Sequence, residues 1–207
     1  MAMPSEAPIP GDEGLDDNDL PVTPPSWPVT AVSAVSRGGL LWLLVAGVLA
    51  RRRGPGRQAA GRGLVAGAAG MALGHGVKAL VRRRRPPAAR LPARRAALDQ
   101  PSSSAFPSTH ATTAAAFTVA VALTAPAAGA MVAPLAGVVC YSRLRTRVHW
   151  PTDVYGGVAI GAVVGGLVCR RAQARKYART VVPSSPVCRR TRSARWLTSR
   201  SPRPRGW

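Results

Sequence analysis

Apolar residues are concentrated in five runs along the chain, and charged residues are almost absent from them. The runs are Gly38–Ala50, Gly63–Val81, Ser108–Ala125, Ala127–Tyr141 and Val154–Cys169. No charged residue stands between Asp99 and Arg143, or between Asp153 and Arg170. Charged side chains are costly in hydrocarbon, so this segregation is typical of a chain that crosses a bilayer.

Polar backbone groups within a bilayer must satisfy their own hydrogen bonds, so the five runs are predicted to be helices packed as a bundle. The first run, Gly38–Ala50, would span only about 20 Å as a helix, whereas the hydrocarbon core is about 30 Å thick. It reaches membrane length if it extends back through Val29–Val35, across Arg37, which could snorkel to the interface. We predict an all-α integral-membrane bundle of about five spanning helices.

The two ends of the chain differ from the middle in composition. Residues 1–28 are acidic and rich in Pro and Gly, and residues 170–207 hold twelve Lys and Arg with no acid. Neither end carries enough apolar surface to fold alone, so we expect disordered tails on a membrane domain of residues 29–169. The formal net charge of +21 would suit anionic headgroups or nucleic acid. No aromatic platform or binding module accompanies it, which favours the headgroups.

Unusual polar residues lie where the predicted helices end or begin. Lys78 and Arg82–Arg85 close the second run, and His110 opens the third. Arg143 follows the fourth, and the fifth begins just after His149 and Asp153. Successive spans alternate in direction, so these four ends should meet on one side of the membrane.

Part of this cluster is suited to an anion. Lys78, Arg85 and Arg143 supply positive charge, and the paired donors of arginine fit phosphate oxygens. Ser108 and the first backbone N–H groups of the third helix add neutral donors at a positive dipole end. The rest of the arginine run has a simpler interpretation as the basic flank of a spanning helix. Ser108 is also a natural N-cap.

Two histidines and one carboxylate supply acid–base and nucleophilic groups. His110 and His149 can divide nucleophile and acid duties near neutral pH. Asp153 lies four residues after His149, a spacing at which a helical carboxylate reaches the imidazole and fixes its tautomer. His149 could instead be an interfacial anchor beside Trp150, and we assign no chemistry to His75. The combination of cations, histidines and carboxylate suits phosphoryl transfer.

These residues resemble the three-part signature of the type 2 phosphatidic acid phosphatase (PAP2) superfamily. Its Lys-x6-Arg-Pro element appears at Lys78–Pro86, and its Pro-Ser-Gly-His element at Pro107–His110. Its Ser-Arg-x5-His-x3-Asp element appears at Ser142–Asp153 and matches at every fixed position. The resemblance covers roughly Gly63–Cys169. Thr109 departs from the signature by replacing glycine, which a helix start should tolerate because its φ is negative.

The resemblance implies hydrolysis of a lipid phosphate, such as phosphatidate, phosphatidylglycerol phosphate or a polyprenyl mono- or diphosphate, with no metal or other cofactor. The catalytic residues would be His149, which forms a phosphohistidine, Asp153, which orients it, and His110, which protonates the leaving group. The remaining residues would hold the phosphoryl oxygens: Lys78, Arg85, Ser108, the Thr109 N–H and Arg143. Membrane members of the family usually have six spans, one more than the five predicted.

Sidedness and reaction type stay open at this level. The segments Arg51–Arg62 and 170–207 hold five and twelve cations on the face opposite the site, against eleven plus Arg37 on the site face. The positive-inside tendency then places the site outside the cytoplasm of a multi-pass cell-membrane protein. The alternatives to a phosphatase are a lipid phosphotransferase with the same intermediate and a non-catalytic basic membrane scaffold.

Overall fold

A computed structural model of the chain describes residues 39–52, 54–85, 103–145 and 148–181, together with residues 31 and 35. Within these ranges the chain forms five helices and no strand. They are α1 (Leu40–Arg51), α2 (Pro55–Leu80), α3 (Thr109–Ala122), α4 (Pro126–Arg145) and α5 (Pro151–Val181). The predicted all-helical class is confirmed. The predicted N-terminal tail, residues 1–28, lies outside the described residues.

Three of the five described helices are long and apolar enough to cross a membrane: α2, α4 and the Pro151–Ala178 part of α5. The other two are shorter than the predicted spans. α1 has 12 residues and α3 has 14, which correspond to about 18 and 21 Å of helix. α3 is short because Ser108 precedes its first turn and a turn at Leu123 and Thr124 leads into Pro126, the first residue of α4.

Two helices extend beyond the apolar runs that predicted them. α2 begins at Pro55, so most of the predicted Arg51–Arg62 loop is helical; a proline suits the first helical position because its missing N–H would be unpaired there. α5 continues past Cys169, where the predicted tail begins, to Val181. Its added residues are rich in Arg, Ala, Gln and Lys, which favour helix without being apolar. The chain divides into two units after Arg171, and residues 172–181 are the described part of the second.

α3 forms the centre of the first unit. Its buried residues include Ala111, Ala114, Phe117 and Val121, and Phe117 packs against Trp42 of α1 with ring centroids 5.0 Å apart. Small residues let the neighbouring helices approach it closely. A Cβ added at Gly63 of α2 would lie 2.9 Å from the Phe117 ring, which leaves no room for a larger residue without movement.

α5 also packs tightly on α3. A Cβ added at Gly157 would lie 2.8 Å from the Ser108 carbonyl oxygen, and one at Gly165 would lie 2.7 Å from that of Ala116. These glycines therefore fix the distance and the register between the two helices. The first turns of α3 and α5 are held side by side as a result.

A polar contact marks the opposite end of the bundle. The Arg62 guanidinium donates to the Thr124 hydroxyl at 3.2 Å, and that hydroxyl donates to the Ala120 carbonyl at 2.8 Å. The Cys169 thiol lies 3.9 Å from the same hydroxyl. The start of α2, the end of α3 and the Cys169 turn of α5 are thus neighbours, which leaves the opposite ends of these helices to form the other rim.

Candidate active site

Three chain segments meet at that other rim. The backbone N–H of Ala105 donates to the Arg83 carbonyl at 3.0 Å, and the Arg83 N–H donates to the Ser104 hydroxyl at 3.1 Å. The Ser108 N–H donates to the Asp153 carbonyl at 3.0 Å. The chain after α2, the chain before α3 and the first turn of α5 are therefore tied together by backbone hydrogen bonds.

His149 and Asp153 lie side by side in the buried part of this rim. The imidazole Nδ1 is 3.7 Å from Asp153 Oδ2, and the two side chains are 3% and 0% exposed. Within the described ranges, Nδ1 has no hydrogen-bond partner closer than 3.5 Å. The Trp150 backbone N–H donates to Asp153 Oδ2 at 2.9 Å, which holds the carboxylate at the positive end of the α5 dipole.

The pKa of His149 is lowered from its ordinary value, first because burial disfavours the charged imidazolium. The nearby Asp153 carboxylate opposes this shift, while the positive charges of Arg85 and Lys78 reinforce it. A neutral imidazole has a free ring nitrogen with a lone pair. His149 is therefore in the protonation state that a nucleophile requires at neutral pH.

Lys78 and Arg85 are held at the rim by backbone carbonyls. Lys78 Nζ donates to the Ser104 carbonyl at 2.8 Å, and Arg85 Nη1 donates to the Val148 carbonyl at 2.8 Å. Arg85 also donates through Nε to the Ser103 carbonyl at 3.0 Å. Burial lowers the pKa of Arg85, and the negative charge of Asp153 partly opposes this. Both cations act electrostatically on His149, so a phosphoryl group beside that ring would experience both charges.

Ser108, Thr109 and His110 open α3 beside Asp153. Ser108 is fully buried in the N-cap position, but its hydroxyl makes no capping bond and has no hydrogen-bond partner in the described part of the chain. Ser108 therefore occupies the predicted N-cap position, but the prediction that its side chain caps the helix is wrong. Its carbonyl accepts the first bonds of the helix, from the Thr112 N–H and hydroxyl. Thr109 is the first helical residue, and His110 is half-buried in the same turn.

Arg143 approaches the rim from α4. It is 6% exposed, and its Nε donates to the Ser142 hydroxyl at 3.3 Å. Only residues 146 and 147 lie between the end of α4 at Arg145 and Val148, so the last turn of α4 is close to the site along the chain. His75 is exposed on α2. Over the described ranges, no three His, Cys, Asp or Glu side chains form a group that could hold a metal ion.

Arg83 also contacts Asp153, although the sequence pattern alone does not distinguish it from its neighbours. Its Nη1 lies 2.6 Å from Asp153 Oδ1 and 2.7 Å from the Thr152 hydroxyl. Four successive arginines, Arg82–Arg85, are indistinguishable by composition, and the signature fixes only the last of them. Their difference is conformational: Arg82 and Arg84 are exposed, whereas the Arg83 side chain is only 11% exposed.

Comparison with known proteins agrees with this fold. The model of the PAP2 superfamily matches residues 60–177, which is more than half of the chain. The chain belongs to the PAP2 superfamily.

Two curated relatives and one solved structure resemble the chain. The relatives are the decaprenylphosphoryl-5-phosphoribose phosphatases of Mycobacterium tuberculosis strains CDC 1551 / Oshkosh and ATCC 25618 / H37Rv, each 43% identical over 122 residues. The match covers 56% of this chain and spans 64% of the length of each relative. The structure is a transmembrane PAP2-type phosphatidylglycerolphosphate phosphatase from Bacillus subtilis. The two structures align with a TM-score of 0.53 and 22% sequence identity, over 73% of this chain and 77% of the other. This likeness supports the membrane fold.

Proposed function

We propose that the chain is a membrane phosphatase that hydrolyses a lipid phosphate or diphosphate through a phosphohistidine on His149. The observation that carries this proposal is the buried His149–Asp153 pair, 3.7 Å apart, with Lys78 and Arg85 acting on the same ring. A neutral nucleophile beside fixed cations is the arrangement that phosphoryl transfer requires, since charge neutralisation and positioning supply most of its catalysis.

The first step forms the phosphoenzyme. Asp153 faces Nδ1 of His149, so the ring proton is placed on Nδ1 and the lone pair on Nε2. Nε2 attacks phosphorus, a P–N bond forms, and the P–O bond to the lipid breaks. The leaving oxygen takes the electron pair of that bond and a proton from His110. The ring then carries positive charge, which the Asp153 carboxylate stabilises.

The second step releases phosphate. Water attacks phosphorus, the P–N bond breaks, and His149 regains its lone pair. His110, now neutral, accepts a proton from the water. Throughout, Lys78, Arg85 and Arg143 neutralise the phosphoryl oxygens, and the Ser108 hydroxyl and Thr109 N–H donate to them. The buried Ser108 hydroxyl supports this role because it has no hydrogen-bond partner among the described residues.

A polyprenyl-linked phosphate is the substrate class best supported. The 43% identical relatives are named for a decaprenylphosphoryl sugar phosphate. The phosphatidylglycerolphosphate phosphatase is only 22% identical, so its likeness supports the fold alone. The membrane spans favour a lipid-anchored substrate, because the phosphoryl group of such a substrate stays at the rim where the site lies.

We also propose that the site faces away from the cytoplasm in a multi-pass cell-membrane protein. The described cations of the opposite end are Arg51, Arg52, Arg57, Arg62, Arg170 and Arg171. None of them is assigned to the site, so they are available to set orientation by the positive-inside tendency. The cations of the site end are partly occupied by Asp153 and by backbone carbonyls.

The test is release of inorganic phosphate by the purified chain in detergent, with no added acceptor. We expect release from a polyprenylphosphoryl-5-phosphoribose to exceed release from phosphatidate and phosphatidylglycerol phosphate, and His149→Ala to abolish it. The matched control is His75→Ala, a histidine on the exposed surface of α2, which should keep wild-type activity. Full activity of His149→Ala would refute the mechanism, and release only in the presence of an alcohol acceptor would indicate a phosphotransferase.

A further inference from the structure

We propose that Arg83 is a positioning residue. By holding Oδ1 of the Asp153 carboxylate, it keeps Oδ2 directed toward His149. This inference rests on the proposed function, because it assigns Arg83 a part in preparing the His149 nucleophile. Arg83 occupies one of the six unspecified positions between Lys78 and Arg85 in the signature, so the motif does not assign it a role.

The two carboxylate oxygens of Asp153 face different partners. Arg83 Nη1 contacts Oδ1 at 2.6 Å, while Oδ2 accepts the Trp150 N–H at 2.9 Å and lies 3.7 Å from His149 Nδ1. With Oδ1 held by Arg83, rotation of the carboxylate is restricted and Oδ2 stays directed toward the imidazole. The same Nη1 contacts the Thr152 hydroxyl at 2.7 Å, which adds a second contact on the adjacent residue.

Arg83 is itself fixed by the chain before α3. Its N–H donates to the Ser104 hydroxyl at 3.1 Å, and its carbonyl accepts from the Ala105 N–H at 3.0 Å. Both backbone groups are thus paired while the side chain reaches the first turn of α5. A residue anchored at its backbone and its guanidinium can hold a partner in one geometry at little further entropic cost.

Charge gives Arg83 a second effect on the site. Asp153 is fully buried, and an uncompensated buried carboxylate is costly and strongly attracts protons. Arg83 compensates that charge on Oδ1, which weakens the pull of Asp153 on a proton at His149. Lys78 and Arg85 oppose protonation of the same ring directly. Loss of Arg83 should therefore make His149 easier to protonate, whereas loss of the Asp153 charge should make it harder.

The experiment is a double-mutant cycle of Arg83→Ala and Asp153→Asn, with kcat and KM measured across pH by release of radiolabelled phosphate. The matched control is Arg82→Ala, which removes the same charge from an exposed neighbour. We expect Arg83→Ala to lower kcat/KM by about 10- to 100-fold, mainly through kcat, as for loss of a charged hydrogen bond. The acid limb of the kcat/KM profile should move to higher pH in Arg83→Ala. In Asp153→Asn the same limb should move to lower pH. Arg82→Ala should stay within about twofold of wild type, as is usual for exposed positions.

The cycle separates positioning from direct substrate binding. If Arg83 acts through Asp153, adding Arg83→Ala to Asp153→Asn should cost less than about threefold and should not shift the acid limb, because coupled residues are non-additive. An equal loss in both backgrounds, a loss in KM alone, or an Arg83→Ala profile like that of Arg82→Ala would overturn the inference.

Two further variants keep the result interpretable. If Arg83→Ala does not fold, the cycle is run with Arg83→Lys, which keeps the charge but lacks the planar fork. That variant should retain an acid limb near that of wild type with reduced kcat, and an unchanged kcat would contradict the role. His149→Ala is assayed in parallel: its full activity would refute the proposed function, whereas an inactive His149→Ala with a silent Arg83→Ala would refute this inference alone.

Discussion

At the residue scale, the candidate site places one buried carboxylate beside one buried imidazole, with 3.7 Å between Asp153 Oδ2 and His149 Nδ1. Asp153 is fully buried, yet Arg83 and the Trp150 N–H contact its two oxygens. Burial and the charges of Arg85 and Lys78 keep His149 neutral, against the pull of Asp153. A buried imidazole whose pKa is shifted by burial and by specific charged neighbours is typical of catalytic sites.

The lowered pKa of His149 predicts the pH dependence of catalysis. Attack on phosphorus needs neutral His149, so kcat/KM should fall as pH drops through the pKa of this residue. Since burial lowers that pKa, the fall should have its midpoint below about 6.5, the ordinary value for histidine. The measurement is a pH profile of kcat/KM, corrected for titration of the substrate phosphate. A midpoint above that ordinary value would contradict the shift.

The unpaired hydroxyl of Ser108 predicts a loss of activity without a loss of stability. Ser108→Ala removes no hydrogen bond made by the side chain, so the melting temperature should change little. If the hydroxyl donates to phosphate, kcat/KM should fall by about tenfold or more. The matched control is Thr113→Val, which removes another buried unpaired hydroxyl further along α3 and should leave kcat/KM unchanged. Equal effects of the two substitutions would argue against a phosphate contact.

The sequence indicated most of these residues but not their mutual contacts. His149 and Asp153 could be paired from their spacing, because four residues make one helical turn. Arg83 could not be separated from Arg82 and Arg84, since the distinction depends on how the chain after α2 turns toward Ser104. The sequence likewise could not predict that the Ser108 hydroxyl makes no capping bond, because serine at a helix start usually makes one.

At the element scale, the close packing of α5 on α3 positions the site. A Cβ at Gly161 would overlap the Thr112 carbonyl oxygen, and one at Gly157 would approach the Ser108 carbonyl to 2.8 Å. Any larger residue at these positions must move α5 away from α3. The same helices carry His149, Asp153, Ser108 and His110 at or beside their first turns, so a shift between them would separate the catalytic groups.

Gly161→Ala is therefore predicted to destabilise the bundle and reduce activity. Overpacking of this kind costs about 1–3 kcal/mol, and kcat should fall because the first turns of α3 and α5 lose their register. The control is Gly166→Ala on the same helix, where an added Cβ meets nothing within 4 Å. Thermal unfolding in detergent and phosphate release check both effects. A Gly161→Ala protein as stable and active as Gly166→Ala would contradict the packing argument.

Apolar runs predicted which segments are helical, but not where each helix stops. α2 starts earlier than its apolar run because Pro55 suits the first position of a helix. α5 continues beyond its apolar run because the polar residues that follow have high helix propensity. α3 is shorter than its run because the turn before Pro126 interrupts it. Five helices were expected and five are described. The lengths of α1 and α3 could not be predicted, because they depend on local turns and not on the membrane.

At the scale of the whole molecule, the residues of the candidate site gather at one end of the bundle. The ends of α2 and α4 and the starts of α3 and α5 carry the site, while the Arg62–Thr124–Cys169 contact marks the other end. The alternation of helix direction, a property of any bundle with short connections, was sufficient to predict this arrangement from the sequence. The orientation of the bundle in the membrane needs a separate measurement.

Single cysteines would measure that orientation. In a background with Cys140, Cys169 and Cys188 replaced by serine, Arg84→Cys and Arg57→Cys place thiols at exposed positions of the two ends. If the site faces away from the cytoplasm, a membrane-impermeant maleimide should label Arg84→Cys in sealed right-side-out vesicles. It should label Arg57→Cys only after permeabilisation. The reverse pattern would place the site on the cytoplasmic side.

Detection of a phosphohistidine at residue 149 would test the proposed mechanism most directly. Substrate labelled in its transferable phosphoryl group is mixed with the purified chain, quenched rapidly at alkaline pH, and the digested protein is mapped by mass spectrometry. We expect the phosphoryl group on His149 during turnover, and neither label nor phosphate release in His149→Ala. Label on another residue during turnover, or phosphate release that persists without His149, would contradict the account.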